Sequence, residues 1–408
     1  MKTNICLACD APVSSFMSFG PQPLANGFLT PDQFDREYFF EMKVASCAKC
    51  GMFQLLEQPD REQMFNQNYA FFSGTSRGMA MHFEQLANDV MQHVLKGTND
   101  PLAVEIGCND GIMLKHFAKA GVRHLGVEPS ANVAAVAKSN GVNVVSRFFD
   151  EACAEDIIRQ YGQADVFLAA NVMCHIPYMH SIIKGIQKLL KPEGVVIFED
   201  PYLGDVLEFT SYDQVYDEHV FLFSVTSVNN LFAKYGMEVY DAQPQETHGG
   251  SMRYFICRRG RRPMTKAVLA QMDKEKAWNI LSPATYERFR RNCEKSRDDL
   301  KSILENLRKK GKRVIGYAAT SKSTTIINYC GLTTDHIEFI SDTTPIKQGK
   351  FSPGKHIPVK AYEEFQKKYP DYALLFAYNH SKEIMAKEKD FMGRGGQWIM
   401  YVPQVKIQ

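Results

Sequence analysis

Apolar and polar positions change period along this chain, and the changes mark out its elements. Leu102-Ala103-Val104-Glu105-Ile106 is a short, nearly continuous apolar run of the kind that forms a buried strand. A tight turn, Gly107-Cys108-Asn109-Asp110-Gly111, separates it from Ile112 to Ala120, where an apolar stripe predicts a helix. Leu125-Gly126-Val127-Glu128 reads as a second strand ending in an acid, Val142 to Val145 as a third, and Ala164 to Asn171 as a fourth. Met179 to Leu190 predicts a helix, and Gly194 to Glu199 a strand that follows it at the spacing of a right-handed parallel crossover. The alternation specifies an α/β fold with a doubly wound, Rossmann-like sheet.

The same alternation returns near the C-terminus. Lys312 to Tyr317 reads as a strand, Ala318 to Thr325 as a small polar turn, and Ile326 to Tyr329 as the start of a helix, with further strands ending at Asp342 and Asn379. Between the two alternating regions, Thr285 to Leu307 places sparse apolar positions among charges of both signs, which predicts a long, solvated helix. The basic stretch from Arg258 to Arg313 around it serves as a boundary marker. The chain carries no internal repeat, low-complexity tract or heptad array.

Composition narrows the class. A chain of 408 residues, 45% hydrophobic and 12% aromatic, is long enough for several packed cores. A formal charge of +2 excludes a strong global attraction to nucleic acid or membrane. The N-terminus has no apolar run of signal-peptide length and nothing later approaches a membrane span, so a cytoplasmic protein is expected. Cys6-x-x-Cys9 and Cys47-x-x-Cys50 are two knuckle-spaced pairs that can close a four-thiolate site, and Zn²⁺ accepts that set without an open position. A closed structural zinc is the reading preferred over two disulfides or four unrelated core cysteines. Cys108, Cys153, Cys174, Cys257, Cys293 and Cys330 lack pair spacing and suit buried thiols in a reducing compartment. The expected organisation is a zinc-binding domain over residues 1–68, a Rossmann-like domain over 69–255 and a second Rossmann-like domain over 256–408.

Candidate chemistry clusters at strand ends. The turn after Ile106 lacks the third glycine of a dinucleotide fingerprint, and the acid before Gly107 would repel a phosphate. An acidic turn suits an ammonium or sulfonium charge, and Glu128 is placed to grip ribose hydroxyls. Glu105 to Gly111 resembles the first motif of class I S-adenosylmethionine methyltransferases, which implies a crevice lined by Gly107, Glu128, Asn171 and His175. Tyr216-Asp217-Glu218-His219 beside an apolar run can bury a histidine tuned as a base, or be merely a polar turn. His248-Gly249-Gly250-Ser251 with Arg253 offers close backbone approach and a guanidinium fork for phosphate, or a hairpin turn with an exposed Arg. Thr320-Ser321-Lys322-Ser323 before a helix start forms a phosphate site without P-loop spacing.

Taken together, the N-terminal cysteines, Glu105-x-Gly107-x-Asn109-x-Gly111, Tyr216-x-Glu218-His219, His248-Gly249-Gly250-Ser251 and the C-terminal nucleotide-type segment resemble the zinc-containing sugar-nucleotide C-methyltransferases. That resemblance spans essentially the whole chain. It implies methylation of C3 of a nucleotide-linked 4-keto-6-deoxysugar, with S-adenosylmethionine held by Glu105, Gly107, Asn109, Gly111, Glu128 and Asn171. It implies His219 as the base, with Tyr216, Glu218, His175 and Tyr69 contacting the sugar, Phe71 and Phe72 being able to take over the surface of Tyr69. His248, Gly250, Ser251 and Arg253, with Tyr317, Lys322, Ser323, Asp342, Lys347 and Asn379 from the last domain, are expected along the sugar nucleotide. The enzyme is expected to be a monomer with no nucleic-acid or membrane partner. Two other readings remain: an O- or N-methyltransferase on the same scaffold, and an RNA-binding zinc-knuckle protein, against which stand the balanced charge and a knuckle without interleaved Lys/Arg and aromatics.

Overall fold

The computed structural model describes residues 4–64, 73–75 and 77–408; Tyr69, Phe71 and Phe72 lie outside them. Strands β1 (Ser15–Pro23), β2 (Phe39–Ser46) and β3 (Phe53–Leu55) pair antiparallel in sequence order. In the middle of the chain β4 (Leu102–Ile106), β5 (Arg123–Val127), β6 (Val144–Val145), β7 (Ala164–Ala170) and β8 (Leu190–Pro201) are parallel. β9 (Phe221–Leu222) then returns to the N-terminal sheet, where Leu222 faces Phe53 of β3. The hairpin β10 (Met237–Gln245) and β11 (Ser251–Arg258) closes the middle sheet, β11 lying antiparallel to β8, in the order β10-β11-β8-β7-β4-β5-β6.

Burial accounts for these choices. β4 is buried at every position, as its unbroken apolar run requires between two helical layers. The helix Met179–Leu189 buries Met179, Ile182, Ile183, Ile186 and Leu189, the spacing of one helical face. Asp150 caps the helix Glu151–Tyr161 by accepting from Cys153 N at 2.7 Å.

The last domain repeats the plan with β12 (Val314–Tyr317), β13 (Ile340–Asp342), β14 (Val359–Ala361), β15 (Tyr372–Leu375), β16 (Gln397–Met400) and an antiparallel edge, β17 (Lys406–Ile407). Its order is β14-β13-β12-β15-β16-β17, so strand order reverses between β12 and β15. A crevice outside the carboxyl ends follows at such a reversal.

Two expectations change. The polar turn of Ala318 to Thr325 is a turn only to Thr320, whose Oγ1 accepts from Ser323 N at 3.1 Å and starts a helix over Ser321–Tyr329. The hydroxyl-rich sequence that reads as a loop is a capped first turn. The long helix, Pro283–Lys309, is half-buried rather than solvated: Tyr286, Phe289, Cys293, Leu300, Leu304 and Leu307 are buried in a core shared with the N-terminal sheet and the last domain. Phe16 on β1 packs on Tyr286 with ring centroids 5.1 Å apart. Among the described residues no helix is long and apolar enough to cross a membrane.

Candidate active site

The four N-terminal cysteines converge although Cys9 and Cys47 are 38 positions apart. Cys6 Sγ lies 3.5 Å from Cys50 Sγ, Cys9 Sγ 3.5 Å from Cys47 Sγ, and all four sulfurs fall within 4.8 Å of one another. A tetrahedral ion with bonds of about 2.3 Å sets its sulfurs ~3.8 Å apart, so the set fits zinc. Each knuckle is closed by its own backbone, Asp10 N donating to Cys6 O at 2.9 Å and Gly51 N to Cys47 O at 2.8 Å. All four are free thiols, which removes the disulfide alternative.

A cavity of about 340 Å³ opens where the carboxyl ends of the two parallel sheets face each other. On the middle-sheet side Gly107 turns left-handed, φ 60°, and a Cβ there would come within 2.3 Å of Val172. Asn109, also left-handed at φ 50°, donates its N–H to Glu128 Oε2 at 3.0 Å, and Ser130 N donates to Glu128 Oε1 at 2.9 Å. Glu128 lines the cavity, and burial raises its pKa against the pull of those two amides. Asn171, at φ 56° after β7, lines the wall with a buried Oδ1 that has no hydrogen-bond partner among the described residues. Phe148, Phe149 and Tyr178 make the apolar wall, with the Arg61 guanidinium 4.2 Å over the Phe148 ring.

Tyr216 to His219 form the loop that leads into β9, so pairing of that strand with β3 anchors it. His219 is 4% exposed. Its Nδ1 donates to Gln214 O at 2.7 Å, which fixes the tautomer and leaves Nε2 to accept from Tyr216 Oη at 2.8 Å. Burial first, and then the neighbouring His175, hold its pKa well below the usual histidine range. The His175 ring stacks on it at 5.4 Å, and burial pushes His175 down to about 3. Glu218 Oε1 accepts from Asn26 Nδ2 at 2.6 Å. Asp217 accepts from Ala25 N at 3.0 Å, and burial, with Glu218 beside it, pushes it up to about 8.

The last domain supplies the opposite wall through Thr320, Ser321, Lys322, Lys347 and Asn379. Lys322 Nζ donates to His248 O at 2.6 Å and Lys347 Nζ to Ala319 O at 2.8 Å; burial lowers the pKa of both. His248, at φ 56°, joins the lining.

Of the residues expected from sequence, the structure brings Gly107, Asn109, Glu128, Asn171, His175, Tyr216, Glu218, His219, His248, Lys322, Lys347 and Asn379 to this one cavity. Others stand outside its lining. Glu105 is buried behind the turn, its pKa raised well above the carboxylate range by burial and then by Glu128 and Asp110. Gly111 packs the turn against its own domain, since a Cβ would meet Val142 at 2.8 Å. Arg253 turns inward to Glu199 at 3.1 Å, where His82 and Thr247 also converge. Gly250 passes Asp205 closely, and Ser251 Oγ donates to Thr247 O at 3.0 Å. Tyr317 donates to Glu388 at 2.7 Å inside its domain's core, Ser323 pairs with Thr320 at the helix cap, and Asp342 accepts from Ala319 N at 2.6 Å.

Comparison with known proteins decides the family. Family models match consecutive parts of the chain: a model for zinc binding at residues 6–65, "Methyltransferase domain" at 82–242 and "C-methyltransferase C-terminal domain" at 246–403. C-methyltransferase NovU of Streptomyces niveus is 32% identical over 393 residues, covering 96% of this chain and 93% of that protein. The chain belongs to the C-methyltransferase family. Its middle domain is an S-adenosylmethionine-dependent methyltransferase domain, and its N-terminal domain is a zinc-binding domain. Ubiquinone biosynthesis O-methyltransferase of Methylococcus capsulatus is 33% identical over 101 residues, which cover 24% of this chain and 41% of that protein. The structure of magnesium protoporphyrin IX methyltransferase from Synechocystis PCC 6803 with bound SAH is 14% identical, covers 44% of this chain and 84% of that one, and has a TM-score of 0.34.

The residues present fit both groups of this C-methyltransferase. Four thiolates suit a closed zinc site, and the unpaired Asn171 acceptor and the Glu128 carboxylate suit the charged and hydroxylic parts of S-adenosylmethionine. Sequence reasoning missed Asn26, Arg61 and His380 in the lining, whereas Ser321 of the expected phosphate segment does line it. Pro23 to Gly27 shows only a turn signal, and a single Arg near a domain boundary carries none.

Proposed function

We propose that this C-methyltransferase acts on C3 of a nucleotide-linked 4-keto-6-deoxysugar, with His219 as the base. The observation that carries the reading is the tautomer of His219: Nδ1–H is spent on Gln214 O, so the basic Nε2 points at Tyr216 on the cavity side. A carbonyl at C4 acidifies the C3 proton, and a buried, neutral imidazole is the form able to take it. The Tyr216 O–H that rests on Nε2 must turn away as Nε2 takes the C3 proton, and it then becomes the donor that an enolate oxygen needs; His175 and Glu218 contact the sugar. Lys322 and Lys347 supply positive charge for the diphosphate on the far wall. S-adenosylmethionine supplies a methyl group already activated on a sulfonium; Glu128 and Asn171 orient it by its ribose and amino acid ends. His219 holds the abstracted proton and gives it up to water afterwards.

The ten free thiols suit a cytoplasmic enzyme, and the reading takes it as a monomer without a nucleic-acid partner. The test is a panel of nucleotide-linked 4-keto-6-deoxysugars deuterated at C3. Methyl gain by mass with loss of that deuterium is expected; methyl gain with the deuterium retained would turn the reading to O- or N-methylation.

A further inference from the structure

The segment Pro23-Leu24-Ala25-Asn26-Gly27 crosses from the zinc-binding domain into the cavity. Its backbone is pinned on two sides, Ala25 N donating to Asp217 Oδ1 at 3.0 Å and Ala25 O accepting from Thr324 Oγ1 at 2.9 Å. Asn26 is thereby delivered between two domains. Its Nδ2 donates to Glu218 Oε1 at 2.6 Å and its Oδ1 accepts from Ser321 Oγ at 3.0 Å. An amide satisfies both neighbours at once, giving a donor to the carboxylate and an acceptor to the hydroxyl. A carboxylate in its place would set two negative charges against each other, and an aliphatic side chain would leave Glu218 without this donor.

We propose that Asn26 is a positioning residue for the reaction: it fixes the Glu218 carboxylate and ties the zinc-binding domain, the Tyr216–His219 loop and the last domain into one arrangement around the cavity. The zinc site then bears on turnover without touching substrate. Asp217 on its own loop and Lys347 from the last domain also interact electrostatically with Glu218. Neither reaches it through the amide geometry that Asn26 provides.

The turnover arm of the test rests on the sugar reading above; a second arm does not. With the sugar that wild type methylates, Asn26→Ala is expected to lower kcat at least tenfold while zinc content and S-adenosylmethionine affinity stay unchanged. Asn26→Asp is expected to keep a proton shared with Glu218 at low pH, which restores a donor, and to lose it at high pH. Its kcat then falls on the alkaline side where wild type holds. Wild-type kcat in Asn26→Ala, or an Asn26→Asp profile that superposes on wild type, overturns the proposal. Infrared spectroscopy supplies the substrate-independent arm: in the difference from wild type, an added protonated carboxyl band titrating above the ordinary carboxylate range is expected in Asn26→Asp and not in Asn26→Asp/Glu218→Gln. A panel in which wild type methylates no sugar overturns the sugar reading alone, and absence of that band from Asn26→Asp overturns Asn26.

Discussion

The two parallel sheets that face the cavity are built alike at their first turns and differ in the charge they present. After β4, Gly107 N donates to Val127 O at 2.7 Å; after β12, Ala318 N donates to Ser341 O at 2.8 Å, and both residues are left-handed, at φ 60° and 73°. In each, the acid at the end of the second strand takes an N–H from the turn and another two residues on: Glu128 from Asn109 and Ser130, Asp342 from Ala319 and Thr344. Only Glu128 belongs to the cavity lining, whereas beside Asp342 the lining is made by Thr320, Ser321, Lys322 and Lys347. The same backbone device thus presents an acid to the cavity on one side and cations on the other, the contrast that the proposed reading assigns to a cationic cofactor and an anionic substrate. His219, the proposed base, sits at the seam and belongs to neither sheet.

The sharpest way to break that division is to change the seam alone. His219→Asn is expected to bind both ligands and to lose ~10²–10⁴-fold in kcat, the range for a deleted general base. Exchange of the sugar C3 proton with heavy water in the presence of S-adenosylhomocysteine isolates the step. Full exchange in the variant would move the base to Tyr216 or His175.

Next comes the acidic side. Glu128→Ala removes a charge-assisted hydrogen-bond acceptor and is expected to weaken S-adenosylmethionine by about 1.5–3 kcal/mol in calorimetry, with the sugar KM held. On the basic side, Lys322→Met is expected to raise the sugar KM about tenfold, a loss of ~1.4 kcal/mol, and to leave cofactor affinity intact. A variant that moves the other side's ligand instead would erase the contrast between the sheets.

Legibility in the sequence divides along the same line. The acidic turn could be read because all its parts, Glu105 to Glu128, lie in one contiguous strand-turn-helix-strand unit with fixed periodicities. The cysteine pairs were readable for the same reason: spacing within each knuckle is local. The floor came from the resemblance, since composition alone left Tyr216 to His219 as a polar turn. What could not be read was the side a polar residue turns to. Arg253 and Tyr317 look like ligand contacts until Glu199 and Glu388, each distant in sequence, are found buried against them. Asn26 escaped because its partners, Glu218 and Ser321, lie 192 and 295 positions away. Local pattern gives elements, and long-range pairing decides which polar groups are spent on structure.

The smallest predicted effect joins both sides through the seam. If His219 is the base, as proposed, it must be neutral to act, and kcat is expected to fall as pH drops through its pKa. In the fold that pKa lies well below the ordinary value of about 6.5, because burial, then His175, then the charges of Lys322 and His248 oppose an imidazolium, against the Gln214 carbonyl that favours it. Burial raises the pKa of Asp217, on the same loop as His219, and of Asp213, which interacts with Lys322. Removing the Lys322 cation stabilises the imidazolium, so the pKa rises and the acid limb of kcat moves to higher pH. The shift is expected to be under about one unit, since a charge at 4–6 Å moves a pKa by ~1–3 and Lys322 ranks behind burial and His175 here. In Lys322→Met the acid limb of the kcat profile, followed downward from pH 8, should therefore begin at a higher pH than in wild type. Glu128→Ala, remote from this group, should keep the wild-type limb. A limb that stays put in Lys322→Met, or moves to lower pH, would show that the basic wall holds substrate without tuning the base.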